Sequence, residues 1–186
     1  AGADVSICIG DSTTLTGSGA QTFLWSPAAT LNNPNISNPV ANPATTTTYT
    51  LVTTDGNACS NTDTMNVTVN ALPGVNAGAD VSICIGNSAT LTASGGQTYS
   101  WSTTQITTVI IISPTSFSTY TVIGTDGNGC SNIDSASVFV NALPVVNAGA
   151  DVSICLNDSI NFTGSGGTIY NWSPSTGLSN PNISNP

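Results

Sequence analysis

Five cysteines and nine aspartates are the side chains of this 186-residue chain that could do chemistry, because the sequence contains no Lys, Arg, His or Glu. A general base near neutral pH is usually an imidazole or an amine, and no Ser–His or Cys–His pair can exist here. The cysteines include no Cys-x-x-Cys pair, so their spacing does not indicate zinc. An Asp pair acting on a glycoside or peptide remains conceivable, but solvated Asp residues in turns are the simpler interpretation. We therefore predict no enzyme and no cofactor.

The net charge of −9 comes without a single cationic side chain. Such a chain repels phosphate groups, so nucleic acid is excluded as a partner. Side-chain ion pairs are also excluded, and stability must come from apolar burial, backbone hydrogen bonds and covalent cross-links. The longest aliphatic run, Val109–Ile112, is far shorter than the roughly 20 residues of a membrane-spanning helix. We predict no membrane insertion in this segment.

A near-identical segment returns along the chain. Residues 1–26 and 77–102 share 20 identities in 26 positions, and residues 148–173 repeat the pattern more loosely. Tandem units of this kind build length rather than an active site. They predict three units, called here module one, module two and module three: residues 1–72, residues 73–143 and an incomplete third repeat at residues 144–186. Since the sequence stops inside a repeat, we expect it to be a piece of a longer polypeptide.

The spacing between the central Trp and the next Tyr differs between the first two modules. Trp25 precedes Tyr49 by 24 residues, whereas Trp101 precedes Tyr120 by 19. Chain length varies in loops more readily than in core strands. We expect a variable loop in this stretch.

The local sequence is typical of β-structure throughout. Short runs of Thr, Val, Ile and aromatic residues are separated by Gly, Asn, Pro and Asp. In module one the pattern predicts strands at 4–8, 13–16, 22–25, 48–53 and 62–70, and the Asp-Gly-Asn segments at 55–57 and 126–128 predict hairpin turns. About seven short strands per module around a central Trp predict an all-β chain of tandem small antiparallel β-sandwiches of the Ig-like or PKD-like type.

The cysteines recur in pairs within the modules. A module of about 70 residues is near the lower size limit for an adequate core, and a disulfide would offset this. We predict the pairs Cys8–Cys59 and Cys84–Cys130, each closing a loop of about 50 residues and contributing roughly 4 kcal/mol in the chain-entropy model. The partner of Cys155 would lie outside the chain. Free buried thiols of a cytosolic protein are the alternative.

Several sequence strings resemble a known family. The order GADVSIC, LWSP, NPNISNP, TTTTYTLVTTDGNACSNTDT and VTVNALP resembles the PKD-like, immunoglobulin-like tandem repeats of very large Bacteroidetes cell-surface proteins, of the adhesin and gliding-associated type. The resemblance covers the whole chain and is most specific from Tyr49 to Pro73. Module two departs from it at residues 102–105 and is shorter there. The resemblance implies an extracellular or cell-surface β-sandwich used as a spacer, filament or adhesive module.

The same resemblance implies O-glycosylation at Asp, then Ser or Thr, then a small apolar residue or Thr. The acceptors that match are Ser12, Thr64, Ser135 and Ser159. A chain with mean hydropathy +0.16 and no cations also needs a hydrophilic coat, which glycans supply. The alternative, compatible with sugar, is that these Asp residues form Asx turns. N-glycosylation at Asn35, Asn66 and Asn161 is a second hypothesis.

Recurrent aspartates could also bind calcium. Asp4 and Asp80 recur beside the module starts, and Asp55 and Asp126 recur in the hairpins. Calcium takes such oxygen ligands. Because no carboxylate-dense loop is present, these four residues are calcium candidates only, and no other metal site is predicted.

Two functions of different classes fit the sequence. The first is a structural repeat of an extracellular fibre or cell-surface stalk, whose partners are copies of itself along a fibre or neighbouring repeats in one chain. The second is an adhesin or carbohydrate-binding module that recognises a surface ligand. An exposed cluster within residues 103–112 of module two, where several Ile and Val residues occur, would favour the second.

Overall fold

The computed structural model describes residues 1–186, which form twelve β-strands and no helix. The strands are β1 Val5–Cys8, β2 Thr13–Thr14, β3 Thr22–Ser26, β4 Val40–Ala41, β5 Thr47–Thr54, β6 Ser60–Asn70, β7 Val81–Cys84, β8 Ala89–Thr92, β9 Thr98–Trp101, β10 Val109–Ile112, β11 Ser118–Thr125 and β12 Ser131–Asn141. The prediction of an all-β chain is confirmed. A helix that could span a membrane is not found.

The first six strands form two facing sheets. One sheet has the order β1-β6-β5-β3, and β2 pairs with β4 in the other. The pairs β5–β6 and β3–β5 are antiparallel, whereas β1 runs parallel to β6 with Val5 opposite Val67. The next six strands repeat this arrangement as β7-β12-β11-β9 and β10-β8. This strand order is that of an Ig-like sandwich, with six strands in each unit rather than the seven expected.

Each sandwich has its own core around its Trp. Trp25 is 1% exposed and packs with Leu15, Tyr49 and Leu51, and Trp101 is 3% exposed in the second core. The Trp25 indole donates to the Ile36 carbonyl at 3.1 Å, and the Trp101 indole donates to the Thr107 carbonyl at 2.9 Å. The loop after β3 and the shorter loop after β9 therefore each supply one carbonyl to the buried indole. The five residues that module two lacks fall in this loop, as expected from the Trp-to-Tyr spacing.

Residues 142–186 contain no strand. Residues 180–186 repeat residues 33–39, so this part of the sequence includes no equivalent of β4, β5 or β6. Ile154 is accordingly 55% exposed, whereas its equivalent Ile83 in module two is 9% exposed beside β12. Trp172 is only half-buried and stacks on Phe162 with ring centroids 5.7 Å apart.

Candidate functional site

The most distinctive chemical feature is a disulfide that joins the two sandwiches. Cys8 and Cys130 are bonded with an S–S distance of 1.98 Å and a Cα–Cα distance of 5.5 Å, across a sequence separation of 122 residues. Cys8 is the last residue of β1, and Cys130 immediately precedes β12. The bond therefore connects the end of a strand in module one to the hairpin of module two.

This bond corrects the predicted pairs Cys8–Cys59 and Cys84–Cys130. Because β1 is parallel to β6, Cys8 lies opposite Asn70, while Cys59 precedes the other end of that eleven-residue strand. At about 3.3 Å per residue the two cysteines are roughly 35 Å apart, far beyond the Cα separation of about 7 Å that a disulfide can span.

The same parallel register separates the cysteines of module two. Cys84 lies opposite Asn141, and Cys130 precedes the start of β12. The structure accordingly leaves three exposed free thiols: Cys59, Cys84 and Cys155.

The linker after β6 is seated against module two by groups that the sequence analysis did not single out. The Asn132 side chain donates to the Pro73 carbonyl at 3.1 Å, and Val75 packs on the second core. Gly124 is required beside Val75, because a Cβ there would lie 2.6 Å from a Val75 methyl carbon. Gly95, with φ of +85°, allows the Gly74 carbonyl to occupy the space a Cβ would take. These contacts and the disulfide are together called the junction below.

The hairpin aspartates position the hairpin cysteines Cys59 and Cys130. The Asp55 carboxylate accepts from the backbone amides of Asn57 at 2.8 Å and Cys59 at 2.9 Å. Asp126 does the same for Asn128 and Cys130, at 2.8 and 2.9 Å. Each Asp therefore fixes the turn that presents a cysteine at the end of the sandwich where β6 or β12 begins. Below, this end is called the pole of the module.

The other calcium candidates serve a different purpose. Asp4 accepts from the Asn66 amide and Asp80 from the Ser137 amide, both at 2.8 Å. They tie the segment before β1 or β7 to the adjacent long strand. The structure does not bring them together with the hairpin carboxylates, and no group of three or more Cys or Asp residues is arranged to hold a metal ion.

Two equivalent aspartates have lowered pKa values. The Ala77 amide donates to Asp134 at 2.8 Å, and this bond, with one from the Ser135 amide, holds the pKa of the Asp134 carboxyl below its ordinary value. In module one the N-terminal ammonium of Ala1 lies 2.6 Å from Asp63. That hydrogen bond and the one from the Thr64 amide lower the pKa of Asp63.

Replacing Asp134 with Asn is expected to reduce stability at neutral pH and flatten its acid dependence. A lowered folded-state pKa means that the contribution is present above the unfolded value of about 3.9 and is lost as pH falls through the folded value. Denaturant unfolding at pH 7 and at pH 3 should therefore show a difference between wild type and D134N that shrinks in acid. Asp11→Asn is the control, because module two already has Asn87 at that position; an equal effect of both substitutions would contradict the assignment.

The four predicted sugar acceptors are all exposed: Ser12, Thr64, Ser135 and Ser159. Ser12 and Ser159 follow equivalent turns, and Thr64 and Ser135 occupy equivalent positions on β6 and β12. Their hydroxyl groups are therefore sterically available.

The predicted N-glycosylation sites differ in accessibility. Asn35 and Asn161 are exposed, whereas Asn66 is half-buried. The side-chain amide of Asn66 donates to the Thr68 hydroxyl at 3.2 Å. Sugar on Asn66 would therefore have less room than sugar on Asn35 or Asn161.

Comparison with known proteins gives remote structural similarity alone. No protein-family profile and no curated protein sequence matches the chain. Among solved structures it is similar to the DIP-gamma domains IG1+IG2, with 12% identity, a TM-score of 0.37 and coverage of 74% of this chain and 93% of that chain. It is also similar to the fibronectin(III)-like modules of Clostridium thermocellum CbhA, with 12% identity, a TM-score of 0.37 and coverage of 75% of this chain and 90% of that chain. For the insect immune protein hemolin the identity is 15%, the TM-score is 0.38 and the coverage is 75% of this chain and 45% of that chain. The sandwich class rests on the strand order described above.

Proposed function

We propose that this chain is a structural repeat protein of an extracellular fibre or cell-surface stalk. The observation that carries the proposal is the Cys8–Cys130 bond, which links one sandwich to the next instead of closing a sandwich on itself. A covalent bond beside a seated linker restricts rotation at the junction. Restricted rotation keeps consecutive sandwiches in an extended arrangement, as a fibre or stalk requires. The bond lies at the ends of the sandwiches and does not cover their outer sheet faces.

The proposed location follows from the chemistry of this bond. Disulfides persist in oxidising surroundings and are rare in the cytosol of most organisms. The chain has no cationic side chains and many Thr, Ser and Asn residues. This composition suits an extracellular protein whose own surface carries glycans. These features support secretion or display at the cell surface.

The carboxylates support a structural role rather than catalysis. A carboxylate pair that does acid–base work has its pKa values pushed apart by environment, with one raised. Here the two resolved shifts, at Asp63 and Asp134, are both downward and caused mainly by hydrogen bonds that the carboxylates accept. The hairpin aspartates likewise accept backbone amide bonds, as described above. The proposed function therefore assigns these groups to the support of backbone structure, in the hairpin turns and along β6 and β12.

Electron microscopy of the native material tests the proposal. We expect extended, unbranched strands with a bead spacing of about 40 to 45 Å, because the eleven-residue β6 or β12 is about 36 Å long and a short linker adds to this length. Addition of a reducing agent should make the strands more flexible without dissolving the beads. Discrete globular particles that turn over a substrate would contradict it.

We also propose that the fibre is O-glycosylated at the four Asp-preceded hydroxyls. The chain supplies its own control, because module two carries Asn87-Ser88 where the other modules carry Asp11-Ser12 and Asp158-Ser159. Peptide mapping of the native protein should find sugar on Ser12 and Ser159 and none on Ser88. Unmodified Ser12 and Ser159 peptides, or sugar on all three, would reject an Asp-dependent signal.

A second candidate function, adhesion to a specific ligand, is favoured by one observation. Module two exposes Val109 at 46% and Ile111 at 67% on the outer face of β10, and Ile106 at 78% in the loop that precedes this strand. Module one has Asn38 and Val40 at the positions of Val109 and Ile111. Neighbouring exposed apolar side chains are a feature of interaction sites.

The patch variant V109N/I111T separates the two functions. If the patch binds a ligand, the variant should lose attachment to cells or glycan-coated surfaces while its fibres remain intact. The control is Thr90→Ser on the neighbouring strand, opposite Ile111. Unchanged attachment by both variants would reject the adhesive function and leave the structural function as the remaining proposal.

A further inference from the structure

We infer that Cys59, Cys84 and Cys155 are unpaired halves of the same inter-module disulfide, and that each takes its partner from another module of this repeat. The inference rests on the proposed serial array and specifies its chemistry: a covalent bond at every junction between the strand-end cysteine of one module and the hairpin cysteine of the next. The known bond, Cys8–Cys130, is then one member of a series.

Cys84 is a strand-end cysteine, and Cys155 is its equivalent in the third repeat. Cys84 ends β7 opposite Asn141, as Cys8 ends β1 opposite Asn70. Cys155 occupies the same place in the third copy of the sequence, and the amide of Asp158 donates to its carbonyl at 3.0 Å as the amide of Asp11 does to Cys8. All three cysteines therefore belong to one position of the repeat, and one of them is bonded to the following module.

Cys59 is a hairpin cysteine. It has the same local bonds as Cys130, since its amide donates to Asp55 as that of Cys130 does to Asp126. The difference is exposure, because Cys130 is fully buried by its bond to module one and Cys59 is exposed. Cys59 therefore presents a thiol at the pole of module one in the geometry that forms the bond in module two.

A groove beside Cys59 provides an independent indication of a partner. A cavity of about 220 Å³ is lined in part by Gly19, Thr53, Cys59 and Asn61. The equivalent residues of module two each contact module one or the linker: Gly95 meets Gly74, Gly124 meets Val75, Cys130 bonds Cys8, and Asn132 binds the Pro73 carbonyl.

One difference between the two poles specifies the partner further. Gly19 has a φ of +87°, like Gly95, but nothing lies within 4 Å of the position a Cβ would take. Thr53 stands where module two has Gly124. A linker that seats on module one should therefore carry a residue smaller than Val75 at that point, or approach from slightly further away.

The bond-forming step is an oxidation. The two thiols lose two protons and two electrons as the S–S bond forms, and the electrons reduce a disulfide oxidant, such as glutathione disulfide, to two thiols. The thiolate of one cysteine attacks the oxidant, and the second cysteine then displaces the oxidant's thiol from the mixed disulfide.

The test adds one hairpin to the chain. Residues 180–186 repeat residues 33–39, so a copy of residues 40–70 fused after residue 186 continues the repeat and brings a new hairpin cysteine. After oxidation with glutathione disulfide, peptide mapping should find Cys84 bonded to the added cysteine and protected at least tenfold from iodoacetamide. A matched fusion with Ser in place of the added cysteine should leave Cys84 reactive. Protection of residues 151–172 from hydrogen exchange shows that the third module of the fusion is folded. In such a folded fusion, a reactive Cys84 would overturn the inference, and so would a bond from the added cysteine to Cys155.

A second measurement does not depend on the folding of the fusion. In native material Cys59 should appear in a disulfide-linked peptide with a strand-end cysteine of the sequence Val-Ser-Ile-Cys, and free Cys59 would overturn the inference. Non-reducing electrophoresis identifies the source of the partner: ladders that collapse on reduction indicate a second copy, and unchanged mobility with Cys59 bonded indicates another module of the same chain. Strands seen by microscopy with Cys59 free would contradict this inference alone, whereas bonded Cys59 in globular particles would contradict the fibre.

Discussion

Replacing Cys8 with serine is expected to lower the free energy of unfolding by up to about 5 kcal/mol. The bond closes a segment of 122 residues, and the chain-entropy model gives about that value for a loop of this size. Because the two cores are separate, we expect the loss to appear mainly as uncoupling: a single unfolding transition should split into two. Guanidinium unfolding monitored by circular dichroism measures both effects.

Thiol counting supplies the control for this substitution. Under denaturing, non-reducing conditions the wild-type chain should take up three alkyl groups, at Cys59, Cys84 and Cys155, and the C8S variant should take up four. Cys59→Ser should leave unfolding unchanged in the isolated chain. Uptake of a single alkyl group by the monomeric wild-type chain would instead indicate a second disulfide within the chain and would contradict the structure.

Replacing Trp25 with alanine is expected to cost about 3–5 kcal/mol, enough to unfold module one. The ring is 1% exposed at the centre of the first core, and the substitution would also leave the Ile36 carbonyl without the indole donor. The loss should remove the β-sheet signal of one sandwich and leave that of the other, as read by circular dichroism and by hydrogen exchange of β5 and β6.

Leu24→Ala is the matched control for this core substitution. Leu24 is the neighbouring residue on β3, points to the opposite face and is 53% exposed. A change of less than about 1 kcal/mol is expected there. Equal destabilisation by the two substitutions would contradict the placement of the core.

Local pattern was sufficient to predict most of the strands and the core. The strand predicted at 62–70 lies within β6, where Met65 and Val67 are 2% and 0% exposed. The Asp-Gly-Asn segments predicted the hairpins that join β5 to β6 and β11 to β12. These features depend on neighbours in sequence, and sequence reports such neighbours directly.

The cysteine pairing could not be predicted, because it depends on strand direction. Nothing local to Val5–Cys8 indicates that this strand pairs parallel with β6, and the parallel register places Cys8 at the opposite end of the sandwich from Cys59. The two-residue strand β4 was also missed, since Val40–Ala41 is too short to show alternation. The seating of Val75 in the space left by Gly124 depends on residues about 50 positions apart.

The parallel pairing of β1 with β6 determines how a module responds when its ends are pulled. β1 ends at Cys8, and the Cys8–Cys130 bond leads directly into β12, so tension between the two ends of the chain passes through the disulfide and bypasses β6. When the bond is reduced, β1 and β6 are loaded in opposite senses, and the backbone bonds between them are sheared together instead of being peeled one after another. Mechanical extension of the oxidised chain should therefore leave the β5–β6 hairpin unloaded, whereas the reduced chain should resist until β1 and β6 separate at once.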